Sequence, residues 1–160
     1  MVNDTPLHKA AHENDTMTVQ EELDGGADIN AKGAQGRTAL HRALGAGAVE
    51  TVQLLIERKA DVNTKDQMKR NALHWAAGGE IRENAKQLCE LLFEPGEVKP
   101  ELVNAPSSSD STPLHFAISK GYGDVCQLLM KHNADISLCD ETGKSCKALA
   151  KDNGLKNIVK

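Results

Sequence analysis

Aromatic residues are nearly absent from this 160-residue chain: one Trp, one Tyr and two Phe, 2% in all. An interior built on large rings is therefore excluded, and the core must come from Leu, Ala, Val and Ile in thin layers. Long apolar runs are missing as well. No stretch approaches the ~18 consecutive apolar residues of a membrane-spanning helix, so membrane insertion is not expected. The opening Met1-Val2-Asn3-Asp4 has no basic region followed by an apolar stretch, and no secretory signal is expected. Cys89, Cys126, Cys139 and Cys146 form no CxxC pair, which points to reduced thiols in a cytoplasmic or nuclear compartment. Charge of one sign is also lacking. Lys and Arg number 19 against 23 Asp and Glu, and the formal net charge of -4 gives no global pull toward nucleic acid or anionic membrane.

Catalytic signatures are equally scarce. No G-x-x-x-x-G-K-[ST], G-x-G-x-x-G or G-x-S-x-G occurs, and Gly78-Gly79 alone is too weak for a phosphate loop. Cys146 lies at an expected helix start with Lys144 and Lys147 close in sequence; a reactive thiolate is the alternative there to a structural thiol. No catalytic residue, cofactor or metal is assigned.

What is present is repetition. Thr5-Pro6-Leu7-His8, Thr38-Ala39-Leu40-His41, Asn71-Ala72-Leu73-His74 and Thr112-Pro113-Leu114-His115 start 33, 33 and 41 residues apart, and a truncated fifth copy opens at Ser145. A period of that size means one supersecondary unit stacked on copies of itself, burying a core jointly. Every copy opens on a residue able to cap a helix, and Pro6 and Pro113 follow at the first helical position, where proline is favoured. The first helix carries small pairs such as Ala10-Ala11 and Ala76-Ala77 and stops at Asn14, Gly47, Gly121 or Gly154. A second helix follows, with apolar clusters Val52, Leu55, Ile56; Leu88, Leu91, Leu92; and Val125, Leu128, Leu129. Ala27-Asp28-Ile29-Asn30, Ala60-Asp61-Val62-Asn63 and Ala134-Asp135-Ile136-Ser137 come next. A polar finger with Gly36 or Gly143 then turns back into the next copy.

Gly36-Arg37-Thr38-Ala39-Leu40-His41-Arg42-Ala43, closed by Ala60-Asp61-Val62-Asn63, resembles an ankyrin repeat, and the likeness covers nearly the whole chain. It implies an all-α repeat solenoid: a single domain over residues 1–160, with helix-turn-helix pairs stacked at right angles to β-hairpin fingers. It further implies a non-enzymatic module binding other proteins through fingertips and concave helix face. Departures from the family pattern are specific. Lys69 and Asp110 stand at the finger glycine, Lys59 and Asn133 at the glycine after the second helix, and Glu80 at the one between helices. Polar residues crowd both ends (Lys9, His12, Glu13, Glu21 and Glu22; Lys147, Lys151, Asp152 and Lys156), as capping repeats require. A complete, monomeric small protein is expected, with a fragment of a longer regulator as the alternative.

The repeated histidines invite a metal reading that spacing disfavours. Packed helices lie about 8–10 Å apart and zinc ligands about 2 Å from their ion. His8, His41, His74 and His115 are therefore expected to tie fingers to helices, as the resemblance implies, and His12 and His132 to be surface residues. The longer third period adds eight residues within 80–103, divided as about three near Ile81-Arg82-Glu83 and about five in Glu94 to Leu102. Glu94-Pro95-Gly96-Glu97-Val98-Lys99-Pro100 is either a recognition loop or a tolerated surface insertion.

Aligning the copies gathers Lys32, Arg37 and Arg42 from the second with Lys65, Lys69 and Arg70 from the third, opposed among finger positions by Asp66 alone. Gly45-Ala46 and Gly78-Gly79 are expected to leave room beside them, with Met68 and Trp75 as an apolar floor. This basic trough suits an acidic protein segment, with arginines gripping carboxylates and Trp75 or Met68 as anchor. A solvated face with Trp75 packed on the next repeat is the bland alternative. Nucleotide or oligonucleotide binding is weaker, because one aromatic offers little stacking.

Overall fold

The computed structural model describes residues 2–94 and 98–158, and among them the regular structure is helical. Four pairs run α1 (Pro6–His12) and α2 (Thr16–Asp24), α3 (Ala39–Ala46) and α4 (Val49–Glu57), α5 (Ala72–Ala77) and α6 (Arg82–Phe93), α7 (Pro113–Lys120) and α8 (Gly123–Lys131). Helix α9 (Cys146–Asp152) and a 3-10 turn at Lys156–Ile158 close the stack. First helices pack in the order α1, α3, α5, α7, α9, and second helices form a parallel layer α2, α4, α6, α8.

Small and branched residues at fixed places make these layers. Leu7, Leu40, Leu73 and Leu114 form one buried column and Ala10, Ala43, Ala76 and Ala117 the next, where a methyl group lets helices approach closely. Val19, Val52, Cys89 and Cys126 do the same in the second layer. Replacing any of these leucines by Ala would cost about 2–5 kcal/mol through lost burial and a residual cavity.

The helix starts are tied down twice. Thr38, Asn71 and Ser145 accept first-turn N–H groups of His41, His74 and Ala148. The backbone N–H groups of Thr5, Thr38, Asn71 and Thr112 each donate to Nδ1 of the histidine three residues on, at 3.1–3.2 Å. That fixes the proton on Nε2, which donates to a carbonyl of the finger ahead: Ala31 and Arg37 for His8, Thr64 for His41, Ser111 for His74, Lys144 for His115. The four rings are hinge pins between finger and helix. Desolvation lowers the pKa of His41 and of His74 to about 4.

The fingers are shorter than the β-hairpins expected. Each closes as a tight turn through two main-chain bonds: the N–H groups of Gly33, Asp66, Ser107 and Asp140 donate to the carbonyls of Arg37, Arg70, Ser111 and Lys144, and their carbonyls accept from Gly36, Lys69, Asp110 and Gly143. Among the described residues the sole bridge is the antiparallel one between Cys139 and Ser145. Five-residue turns have arms too short for a ladder, and single bonds link neighbours instead, from Gln67 N–H to Gln35 carbonyl and from Ser108 N–H to Met68 carbonyl. The residues standing in for glycine keep the turns at a steric cost: φ is +57° at Lys69, +55° at Asp110, +66° at Lys59 and +67° at Asn133.

The third pair is rebuilt rather than merely lengthened. Leu88, Cys89 and Leu92 stand where Thr51, Val52 and Leu55 stand in the second copy, so an added helical turn precedes them and α6 reaches 12 residues against 9 in α4. Glu80, expected at a glycine-like turn, instead gives its N–H to the Gly45 carbonyl. Tyr122 secures this join by donating from its buried hydroxyl to the Gly79 carbonyl at 2.9 Å. Of the loop read as a recognition element, Pro95, Gly96 and Glu97 lie outside the described residues. Lys99 gives its N–H to the Asn63 side chain, and Pro100–Leu102 forms a 3-10 turn.

Candidate functional site

Trp75 organises the basic side of the stack. It follows the His74 pin on α5 and is half-buried, with Arg37 at 4.6 Å and Arg70 at 4.3 Å from its ring centroid. Its Nε1 donates to Asp66 Oδ2 at 3.3 Å, which also accepts from Arg70 Nε at 2.9 Å. Asp66 Oδ1 takes the N–H groups of Met68 and Arg70, so its fully enclosed carboxylate has four donors. Asp66 is thus the structural centre of the third finger, and Arg70 is its counter-ion.

A second carboxylate enters from the start of the chain. Asp4 Oδ2 pairs with Arg42 Nη2 at 2.5 Å, and Asp4 Oδ1 accepts the Ala34 N–H at 2.9 Å. Burial opposes ionisation of Asp4, but the bonds from Arg42 and Ala34 outweigh it and hold the carboxyl below the usual range. Among the described residues Arg37 has no carboxylate in ion-pair contact. Its Nη2 meets only the Gln35 side-chain oxygen, while its Nε and that of Arg42 are enclosed without an acceptor. Burial and the nearby Arg42 and Arg70 depress its pKa, as expected of a cation crowded by its own kind.

Arg37, Arg42 and Trp75 line a cleft of about 210 Å³ together with His12, His41, Gly45, Gly78, Lys120 and Glu80, the one acid in the lining. The family model described as ankyrin repeats (3 copies) matches residues 2–66, 63–140 and 81–160. The chain belongs to the ankyrin-repeat family. Ankyrin repeats are generally protein–protein interaction modules, and the cleft lies where first helices and fingers of the second and third repeats meet.

Of the residues picked out from the ankyrin sequence pattern, Arg37, Arg42, Trp75 and Gly78 share this cleft, and Arg70 adjoins it through the indole. Lys65, Lys69 and Met68 stand exposed on the third finger; Lys32, on the second, gives its ammonium to the Lys65 carbonyl at 3.2 Å. Gly79 is buried, with its carbonyl held by Tyr122. Gly45 and Gly78 line the cleft, and each is also needed for close packing of a ring. A Cβ on Gly45 would lie 2.9 Å from Trp75 Cε3 and one on Gly78 2.8 Å from Phe116 Cδ1, so the space they leave is filled by aromatic rings. Trp75 packs back on the preceding repeat, beside Gly45 and His41.

Three contributors escaped the sequence reading although their register was visible. Asp4 occupies the same place before the capping residue as Arg37 and Arg70, His12 the same helical position as Gly45 and Gly78, and Lys120 that of Ala46 and Gly79. Asp66 is therefore not the only acid among the cations. Cys146 is no exposed thiolate. It is buried, its Sγ is 3.2 Å from His115 Nδ1, and burial pushes its pKa up to about 11. Among the described residues no group of His, Cys, Asp and Glu could hold a metal ion, and no helix is long and apolar enough to cross a membrane.

Proposed function

We propose that this ankyrin stack is a non-enzymatic adaptor that binds an acidic segment of a partner protein across its second and third repeats. The convergence of Arg37, Arg70 and Trp75, extended by Lys65 and Lys69 on the finger, is the observation that supports it. Cations concentrated in the middle of a chain of net charge -4 favour a carboxylate-rich partner and steer its approach. Exposed Met68 supplies an apolar contact beside the charges.

Oligonucleotide binding is the poorer reading, because base stacking needs a free aromatic face and Trp75 already holds two guanidiniums against its ring. The test is capture of a glutamate-rich peptide by the wild-type chain and by Lys65→Glu/Lys69→Glu. Arg70 is left in place because its loss would strand the buried Asp66 carboxylate. The double variant is expected to melt like the wild type and to lose at least about tenfold in affinity; unchanged affinity would remove the proposal.

A further inference from the structure

The finger lysines account for attraction, but the enclosed arginines beside them have a more specific chemistry. Three guanidiniums gather around one indole and cleft, and two of them are already matched: Arg42 by Asp4 and Arg70 by Asp66. Among the described residues Arg37 is the unmatched one. Its Nε lacks an acceptor, as does that of Arg42, and a buried donor left unmade is unfavourable until an acceptor arrives. The anion these groups accept is visible within the molecule itself. Asp4, from the segment preceding α1, sets one oxygen on Arg42 and the other on the Ala34 N–H.

We infer that Arg37 and Arg42 form a carboxylate seat for a Glu or Asp side chain of the partner segment, and that Asp4 occupies half of this seat in the free protein. This rests on the acidic-segment reading and adds where the acid lands and what competes with it. An incoming carboxylate engages Arg37 bidentately, the geometry a planar guanidinium favours, and draws it from the indole. Arg42 then exchanges Asp4 for the ligand or shares between them. Charge repulsion makes Asp4 the internal competitor: the seat takes one carboxylate more readily when Asp4 is neutral. A carboxylate is the anion already held here, by Arg42 and the Ala34 N–H.

Trp75, the only tryptophan, reports on the seat directly. Its fluorescence would be followed while a short glutamate peptide, the matching glutamine peptide and a single-stranded DNA oligonucleotide are titrated into the full chain. Asp4→Asn keeps an acceptor for Ala34 N–H while removing the charge, and is expected to bind the glutamate peptide roughly threefold more tightly. Arg37→Gln is expected to weaken it about tenfold and to abolish the fluorescence change. The glutamine peptide should not bind. Should Asp4→Asn melt early, Asp4→Ser provides a second removal of the charge.

Equal or weaker binding by folded Asp4→Asn or Asp4→Ser overturns the inference, as does wild-type affinity in Arg37→Gln. If Lys65→Glu/Lys69→Glu loses the peptide while these variants behave as wild type, the adaptor reading stands and the seat falls. No wild-type response to the glutamate peptide removes both, and tighter oligonucleotide binding lost in Arg37→Gln replaces the carboxylate with a phosphate.

Discussion

A single side chain type, repeated four times, shows how the residue scale works in this protein. Each histidine accepts from its own helix cap through Nδ1 and donates to the next finger through Nε2, so a proton added to Nδ1 breaks the cap bond. For His41 and His74, the unfolded chain takes up a proton near the ordinary value of about 6.5, while desolvation holds the folded sites to about 4. Between those values the unfolded state binds more protons, so stability is full above the unfolded pKa and is lost as pH falls toward the folded one. The expected loss is about 3 kcal/mol per histidine by the lower limit. Urea melts from neutral pH downward check this, together with imidazole resonances of His41 and His74, which should remain neutral at about pH 5.5. Charged rings in the folded protein at that pH would refute it. The structural role of these histidines was implied by the ankyrin resemblance, and their spacing spoke only against a shared metal; the reach of Arg42 to Asp4 was not legible, because charge pairing between copies depends on side-chain direction.

At the scale of elements, the fingers carry both strain and charge. Lys69 holds φ at +57°, a conformation that crowds its Cβ against the backbone, and costs about 1 kcal/mol relative to glycine. Lys69→Gly should therefore raise the melting temperature by about 2–4 °C in a chain of this size, while weakening capture of the glutamate peptide. A fall in melting temperature would show that another interaction of Lys69 outweighs the strain. The family pattern revealed that glycine was missing there, yet left open whether the turn would change shape; the finger's bonds to Asp66 and Arg70 hold the turn and leave the residue to bear it. The third helix pair is the opposite case. Its eight extra residues were evident from the period and divided by alignment as about three and about five; burial of Leu88, Cys89 and Leu92 in the places of Thr51, Val52 and Leu55 shifts that division by one residue, toward the start of α6.

Across the whole molecule, charge is arranged rather than abundant. A chain with 23 acidic and 19 basic residues sets Arg37, Arg42 and Arg70 around Trp75 and its cleft, and matches Arg42 and Arg70 with its own carboxylates. Attraction for an acidic partner must then come from Arg37 and the exposed finger lysines, which solvent ions screen. Affinity for the glutamate peptide should fall several-fold between about 0.05 and 0.5 M NaCl, as the screening length shrinks below about 10 Å. Titrations across that range measure it; salt-independent affinity would mean that Met68 and Trp75, rather than the cations, carry the binding.

The sequence by itself determined the repeat, the helix caps and the alanine and leucine columns, because each recurs at a fixed place in a fixed period, and the ankyrin resemblance added the histidine pins. Aligning the copies also placed Lys32, Arg37, Arg42, Lys65, Lys69 and Arg70 on one side of the stack. Tertiary structure decided which of them are free. Asp4 and Asp66 reach Arg42 and Arg70, Gly45 and Gly78 make room for rings, and Cys146 is sealed beneath His115. Those outcomes depend on distances and desolvation between copies of the repeat, and only the packed stack sets them.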